Sequence, residues 1–542
     1  MSKSEMKKIQ GNLILCMICL IIVGMVSRII GEIGTAELTF TFSVFLAIYS
    51  FFIAWIPDYM TKMVRFRVLK EQYKNVDMVW RTMLAFSIVI GILGTVVLFF
   101  VSNFIEKNNN SCIYFSYLLM KRMAFLFLPI TITLVCTGYF RGNGAGSMSL
   151  YIFLLPLLLG IPLILLFTLS GFQKGKKIAD VLHNSDLAGI YGGLGSIHGI
   201  FFVLWLVFLA ILILFFVRKK KVKKNRDGLR LTEDASDILL PVFANTSADS
   251  LSKYAMYGIL FWGFLFYIMR VNQSEGDRVM AQQSLSDIGR FYGNFLVMAA
   301  FETCIIVFAM LRIVSVHLNS LKRDDKRMIR HSMDGVILGT FLSALFFGAL
   351  NIGAAGSIAK LFFGKDMKEF VNLIRIGSLM PLFMAGSVIF TILLKETNKK
   401  KNILLYYLIA FAVFIFGVLI SFRFMQVSVY PILIGLYAFY ILTCILCGVK
   451  YVWKFSYRPE WVRMIIMPLI VVSLTTLCVY FINKALYQAT NALVAFCFSF
   501  VTGYVIYNLV LIFMRCIQES DTDVLPFGGI KRTIGNLLHI MV

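Results

Sequence analysis

The sequence predicts an all-α, polytopic membrane protein with about fourteen transmembrane helices, in two parallel six-helix lobes plus two C-terminal helices. Three observations support this fold class. Of the 542 residues, 59% are hydrophobic and only 15% are charged, whereas soluble domains average about 45–50% and about 25%. Apolar runs of about 20 residues, each long enough to cross a bilayer, recur along the whole chain. A weak internal repeat relates two parts of the chain.

The first apolar run follows a basic segment, as in a cleavable signal peptide. No small-residue cleavage site follows it and further spans come at once, so we interpret it as a retained helix. The predicted spans are 11–30, 36–56, 81–104, 117–140, 147–170, 190–217, 237–269, 285–316, 332–356, 369–394, 402–422, 428–449, 462–483 and 488–514.

Lys and Arg concentrate in alternate loops, which predicts the orientation of the chain. The basic loops are 62–74, 218–230, 322–330, 395–401 and 450–463. By the positive-inside rule these loops are cytoplasmic. Both termini are therefore expected in the cytoplasm, and the protein in the cytoplasmic membrane. Because topology accounts for the net charge of +24, we expect no nucleic-acid partner.

Four features recur in the same order at a near-constant offset. Ile33-Gly34 corresponds to Ile288-Gly289, and Arg81 corresponds to Arg330. The pair Arg122 and Pro129 corresponds to the pair Arg375 and Pro381, and each half contains a basic patch. Parallel repeats give two lobes that enclose a substrate cleft near the membrane midplane and work by alternating access. The predicted domains are an N-lobe (1–217, helices 1–6), a basic cytoplasmic linker (218–236), a C-lobe (237–450, helices 7–12), and helices 13–14 with a cytoplasmic tail (451–542).

Two segments and the layout of the spans carry a resemblance to a known family. Residues 27–64 are similar to that family's first turn and second helix, and residues 126–149 to its fourth helix with a Gly-rich inner turn. With the fourteen-span layout, the chain resembles the MOP (multidrug/oligosaccharidyl-lipid/polysaccharide) exporters. Typical multidrug MATE transporters of this superfamily have twelve spans, so the chain looks most like the lipid II flippase and SpoVB-like polysaccharide transporter branch.

This resemblance implies a flippase for an undecaprenyl-diphosphate-linked glycan, either lipid II or a related cell-envelope polysaccharide precursor. Arg28 matches the Arg that precedes the family's first outer turn, and Glu37 matches an acidic position at the start of the second helix. Lipid II flippases have a further Arg on that helix, whereas residues 36–56 contain none. The resemblance therefore leaves the glycan open. It also implies that the last two helices form a groove for the polyprenyl chain.

Charged residues within the spans are candidates for ion coupling, because a charge in the membrane costs a few kcal/mol on insertion scales. Asp249 and Lys253 lie four residues apart, on one helix face, where an ion pair is possible. Glu302 has no basic residue within one turn, so it needs a partner on another helix or a proton. A neutralising pair and an interhelical hydrogen bond are the structural alternatives for these residues.

Five basic residues lie toward the predicted outer ends of spans, namely Lys121, Arg122, Arg270, Arg290 and Arg375. A guanidinium binds a diphosphate in a bidentate manner, so we predict that these residues bind the substrate head group together with Arg28 and Glu37. The structural alternative is that their side chains extend to the outer lipid head groups.

We expect neither a metal site nor a cofactor. Cys444 and Cys447 have the spacing of a redox or zinc motif, but cysteine inside a membrane helix behaves as a small apolar residue. The five histidines are scattered. The glycine-rich turn after Arg141 lacks the Lys-Ser/Thr ending of a P-loop, so ATP is not expected. Coupling to Na⁺ or H⁺, or the membrane potential, is expected to drive transport. The expected partners are the polyprenyl-linked glycan and anionic membrane lipids, and a monomer is expected.

Three other functions are alternatives to the flippase. A cation-coupled multidrug exporter of the MATE type is the main alternative, with Asp249 as its carboxylate. An enzyme such as a membrane glycosyltransferase needs catalytic groups on long outer loops. The longest outer loops here, 171–189 and 270–284, bring few such groups together, so no enzyme is expected. A scaffold would need neither buried charges nor a duplicated lobe.

Overall fold

The computed structural model describes residues 3–107, 112–144, 146–222, 233–273, 278–364, 368–396, 400–425, 427–455, 460, 462–518, 521 and 532. The helices are α1 (Lys3–Phe52), α2 (Ile56–Leu69), α3 (Tyr73–Lys107), α4 (Ser116–Met123), α5 (Phe127–Gly142), α6 (Gly146–Leu182), α7 (Asp186–Val222), α8 (Ala235–Gln273), α9 (Arg278–Arg290), α10 (Leu296–Arg323), α11 (Lys326–Gly353), α12 (Ala355–Phe363), α13 (Lys368–Ile376), α14 (Met380–Glu396), α15 (Lys400–Phe424), α16 (Tyr430–Lys454), α17 (Met467–Ala489) and α18 (Ala492–Phe513). Most of the predicted linker and of the predicted tail lies outside the described residues.

Thirteen helical stretches of the described residues are long and apolar enough to cross a membrane. Twelve of them coincide with twelve predicted spans. The other, Ile9–Leu69, has 61 residues and covers the first two predicted spans together. The prediction of an all-α, multi-pass membrane protein is therefore confirmed, and the count differs by one because two spans fall in one continuous stretch.

Gly31 divides that first stretch. Its φ of 76° and ψ of −175° are not helical, and positive φ is accessible to glycine at little cost. The Thr35 hydroxyl donates to the Gly31 carbonyl (2.5 Å) and lies 3.4 Å from the Ser27 carbonyl oxygen. In a straight helix eight residues rise roughly 12 Å, so the chain bends sharply here. The bend falls at the predicted boundary between the first two spans.

The chain divides into two compact units. The first unit is Lys7–Gly293 with Lys400–Gly435. The second unit is Met1–Met6, Asn294–Lys399 and Leu436–Val542. The lobe boundaries near residues 217 and 237 stay a prediction, as does the repeat.

In the first unit, α6 and α7 pack through glycines. A Cβ at Gly171 would collide with the Tyr191 carbonyl oxygen, and one at Gly195 with the Phe167 carbonyl oxygen. Small residues allow membrane helices to approach backbone to backbone, which increases van der Waals contact where lipid supplies no hydrophobic driving force. These glycines therefore explain the close α6–α7 pair.

In the second unit, α17 is anchored to α11 and α18. A Cβ at Gly353 of α11 would lie 2.7 Å from Val479 of α17, and one at Gly503 of α18 would lie equally close to Val479. The Tyr507 hydroxyl of α18 donates to the Leu342 carbonyl at 2.8 Å. Buried Asn483 bonds Ser357 and Ser499. The last two predicted helices are thus an integral part of this unit.

Candidate functional site

The bend of α1, the start of α7 and the end of α9 meet through backbone contacts. A Cβ at Gly34 would lie 2.7 Å from the carbonyl carbon of Gly189. A Cβ at Gly289 would collide with the Glu32 carbonyl oxygen. Any larger residue at these positions would separate the three segments. This meeting point, with the side chains of Glu32, Glu37, Asp186, Asp287 and Arg290, is called the bend site.

Arg290 is held by two carboxylates in the bend site. Its Nη2 lies 2.6 Å from Glu32 Oε2, and its Nη1 lies 3.1 Å from Asp287 Oδ1. The Arg290 and Glu32 side chains are only 13% and 15% exposed, so water screens their attraction less than at a surface. The structure therefore places this predicted substrate-binding residue in an ion pair. The sequence analysis did not identify Glu32. Its position between Gly31 and Gly34, in a turn between two spans, could have indicated a functional carboxylate.

Glu37 is buried in the bend site, with 1% of its surface exposed. Its carboxyl group lies beside the backbone of Phe115 and Ser116, where α4 begins. A helix N-terminus favours a carboxylate because its amides and its dipole are positive there. Among the described residues, Glu37 Oε2 has no hydrogen-bond partner. Whether Glu37 faces a substrate cleft stays a prediction.

The other basic candidates lie on α1, α4, α8 and α13. Lys121 bonds Glu106 at 2.7 Å and lies 5.2 Å above the ring of Tyr117. Arg122 lies in the last turn of α4 and Arg270 in the last turn of α8, and both are exposed. Exposed Arg28 precedes the bend, and Arg375 is exposed in the last turn of α13 in the second unit. A diphosphate site built from these residues stays a prediction.

Lys253 of α8 binds at the junction between α1 and α2. Its Nζ donates to the Ala54 carbonyl at 2.6 Å and lies 3.6 Å from Asp58 Oδ2. The Ser250 hydroxyl donates to the Phe51 carbonyl. Carbonyls at the end of a helix have no hydrogen-bond donors within that helix. Here α8 supplies the donors. Asp58 was missed by sequence reasoning, and the pairing of Asp249 with Lys253 stays a prediction.

Arg67 forms a second polar network of the first unit. Buried Arg67, in the last turn of α2, pairs with Glu233. Asn75 accepts a hydrogen bond from the Glu233 amide at 3.2 Å. Glu233 lies near the end of the predicted linker and is the first described residue after position 222, so this network fixes the chain where it enters α8. The sequence analysis missed this network, because its partners are far apart along the chain.

In the second unit, Glu302 pairs with Asn351 of α11. The Asn351 Nδ2 donates to Glu302 Oε2 at 2.9 Å. The sequence predicted that Glu302 needs either a partner on another helix or a proton, and Asn351 is a partner on another helix. The two residues are 7% and 1% exposed. The pair lies in the interior of the unit, where an ionised carboxylate is costly.

His317 is the centre of another buried network of the second unit. Its Nδ1 and Nε2 lie 2.8 Å from the hydroxyls of Ser332 and Tyr451. The Ser332 hydroxyl donates to the Met328 carbonyl, so it accepts from Nδ1–H. His317 thus connects α10, α11 and α16. No group of three or more His, Cys, Asp or Glu residues that could hold a metal ion occurs in the part of the chain that the structure describes.

No protein-family model and no curated protein matches the sequence. Solved structures do match the fold. An inward-facing multidrug resistance MATE family transporter of the MOP superfamily is 14% identical, with a TM-score of 0.60 over 83% of this chain and 94% of that chain. The eukaryotic MATE transporter AtDTX14 is 12% identical, with a TM-score of 0.53 over 82% and 94%.

A MOP superfamily transporter from Pyrococcus furiosus is 14% identical, with a TM-score of 0.50 over 84% of this chain and 98% of that chain. Its binding pocket is described as having reverse polarity, which suggests a different function for that protein. At such low identities the likeness concerns the fold alone. The chain has the fold of the MATE transporters of the MOP superfamily.

Proposed function

We propose that the protein is a transporter that moves an undecaprenyl-diphosphate-linked glycan across the cytoplasmic membrane by alternating access. Its fold is shared with proteins that are described as transporters. The observation that carries the proposal is the helix pair α17 and α18, which follows the twelve other predicted spans. The pair is fixed to α11 and exposes apolar side chains such as Leu477, Phe481 and Val501. Such a surface suits a polyprenyl tail.

The physical task of such a flippase is to move a charged, hydrated head group while the tail stays in lipid. An isolated charge in hydrocarbon costs tens of kcal/mol in a Born estimate. Exposed Arg28, Arg122, Arg270 and Arg375 offer guanidinium groups, and a guanidinium binds a diphosphate through paired hydrogen bonds. A membrane potential that is negative inside assists export of the anionic head by about 2.3 kcal/mol per charge per 100 mV.

Binding measured by native mass spectrometry tests this proposal. The full-length protein is exposed to lipid II, to a second polyprenyl-diphosphate glycan and to a cationic dye. We expect one of the two lipids to bind selectively, and Arg375→Gln to weaken that binding more than Arg375→Lys, which keeps the charge. Selective binding of the dye alone would refute the proposal.

A cation-coupled multidrug exporter is the second candidate, and the bend site favours it. The site holds four carboxylates, those of Glu32, Glu37, Asp186 and Asp287, beside the guanidinium of Arg290. An acidic surround attracts a cationic substrate. Dye transport in proteoliposomes distinguishes the two candidates. A multidrug exporter should export a cationic dye, and Glu37→Gln should abolish this export. A flippase should export no dye, either as the unaltered protein or as the Glu37→Gln variant.

A further inference from the structure

The buried pair of Glu302 and Asn351 leaves one hydrogen-bonding atom unsatisfied. Asn351 uses its Nδ2 as a donor to Glu302 Oε2. Its Oδ1 is buried and has no donor within the described residues. A buried polar atom without a partner costs about 1–3 kcal/mol, so a native helix interface should provide one.

A proton on Glu302 supplies the missing donor. An ionised carboxylate has acceptors only, whereas a protonated carboxyl group has one O–H donor. A protonated Glu302 that turns its O–H toward Asn351 Oδ1 would still accept from Nδ2, and both ends of the amide would then be satisfied. Exchanging the amide O and N positions would place Asn351 Oδ1 against Glu302 Oε2 and again require a proton between them. In either orientation, a protonated carboxyl group supplies the donor that the pair lacks among the described residues.

Along α10, α11 and α14, the described residues place no charged side chain close to Glu302. The helices α11 and α14 pack against α10. Along α10 the nearest titratable residue is Cys304 and the nearest charged one is Arg312, roughly 15 Å from Glu302 by helical rise. On α11 the nearest charged residue to Asn351 is Asp334, roughly 25 Å away. The helix α14 has no ionisable side chain before Lys395.

A metal cation does not suit this arrangement. Hard cations are bound by several oxygen ligands. In the amide orientation of the structure, the group that faces Glu302 Oε2 is the Nδ2 donor of Asn351, whose partial positive charge repels a cation. No metal-binding cluster occurs among the residues that the structure describes. The ligand that fits the pair is a proton.

We propose that Glu302 and Asn351 form a proton-binding site in the second unit, and that Glu302 is protonated at neutral pH in this conformation. Protonation removes the charge that would otherwise lie between α10 and α11. Loss of the proton leaves the amide oxygen without a donor and a bare carboxylate in the interior, so it favours an arrangement in which water reaches the pair. The site does not depend on whether the substrate is a lipid-linked glycan or a drug.

Infrared difference spectroscopy of the full-length protein in liposomes tests the proposal. The probe is the C=O stretching band of protonated carboxylic acids, recorded as pH is raised and with Na⁺ exchanged for a large organic cation. At neutral pH we expect Glu302→Gln to remove part of this band. The control Glu37→Gln, which changes the other buried glutamate, should leave that part in place. Na⁺ should have no effect on the part that Glu302 contributes.

Two results would overturn the proposal. One is a neutral-pH band that Glu302→Gln leaves unchanged, since Glu302 would then be ionised. The other is loss of the Glu302 band on addition of Na⁺, which would indicate a metal cation instead. If the circular dichroism spectrum shows that Glu302→Gln has lost helical structure, the infrared measurement is made on Asn351→Leu instead. That variant should shift the Glu302 band to higher frequency because it removes the hydrogen bond, and an unshifted band contradicts the proposal.

Discussion

Arg290 and Glu32 are the clearest residue-scale test of the bend site. Both are largely buried and lie 2.6 Å apart. Removal of one partner leaves the other charge uncompensated, which costs roughly 3–5 kcal/mol in a buried pair. We expect Arg290→Met to lower the thermal unfolding temperature in detergent markedly. Glu32→Gln should do the same, and the double variant should lose less than the sum of the two.

A double-mutant cycle quantifies this pair. Residues in direct contact show coupling of about 0.5–3 kcal/mol, and we expect a value within that range for Arg290 and Glu32. The control pair is Arg290 with Glu106, which bonds Lys121 instead and should show additive effects. A coupling of zero for Arg290 and Glu32 would show that the ion pair does not form in the folded protein.

Two cysteines outside the spans should react slowly with thiol reagents. Burial raises the pKa of Cys112 to about 12 and that of Cys516 to about 11, although Arg463 opposes the shift at Cys516. The thiolate is the reactive form, so a raised pKa leaves almost none of it at pH 8. Each additional pH unit up to the pKa should increase the labelling rate about tenfold.

Maleimide labelling of single-cysteine proteins measures this effect. The comparison is Lys70→Cys, at an exposed position at the end of α2. We expect Lys70→Cys to react quickly at pH 8, with Cys112 and Cys516 at least a hundredfold slower. Equal rates at pH 8 would mean that the two native thiols are accessible and ionise normally.

Between helices, Gly353 should be essential for the packing of α17 against α11. A Cβ there would lie 2.7 Å from Val479, so Gly353→Leu forces the helices apart. Overpacking of this kind costs about 1–3 kcal/mol. The control is Gly417→Leu in α15, where a Cβ would meet nothing within 4 Å. We expect a lower unfolding temperature and weaker binding of a polyprenyl lipid for Gly353→Leu only. The same loss in both variants would contradict the assigned role.

The helices could be predicted from the sequence, whereas most partners of the charged residues could not. Apolar runs bounded by Lys and Arg indicate spans directly, because the bilayer imposes their length. The contact of Glu32 with Arg290 bridges 258 residues, and that of Arg67 with Glu233 bridges 166. Such contacts depend on which helices are neighbours and on how each is rotated. A single sequence carries neither kind of information.

The contacts of two buried charged residues, Glu302 and Lys253, could be predicted in part. Glu302 required a partner, and Asn351 was a polar residue within an apolar run, so the pair could have been predicted from the sequence. Lys253 was recognised as a buried charge, but its partners at the junction of α1 and α2 depend on carbonyls freed where the helix ends. Helix ends are the least certain part of any assignment from sequence.

For the whole molecule, the orientation in the membrane is the main prediction to test. The charge bias places the linker, the loop around Lys70 and the C-terminus inside, and the loop around Lys174 outside. In intact cells we expect a membrane-impermeant maleimide to label Lys174→Cys but not Lys70→Cys. In permeabilised cells both variants should be labelled. Labelling of Lys70→Cys in intact cells would invert the proposed topology.

The distance along the chain between Glu32 and Arg290 also sets the order in which the protein is completed during synthesis. The two residues are separated by 258 positions, and ribosomes add about 5–20 residues per second, so Glu32 waits roughly 10–50 seconds for its partner. Throughout that time the Glu32 carboxylate at the bend lacks the guanidinium of α9. The first two helices are therefore made first, but their turn reaches its final surroundings only after α9 has left the ribosome.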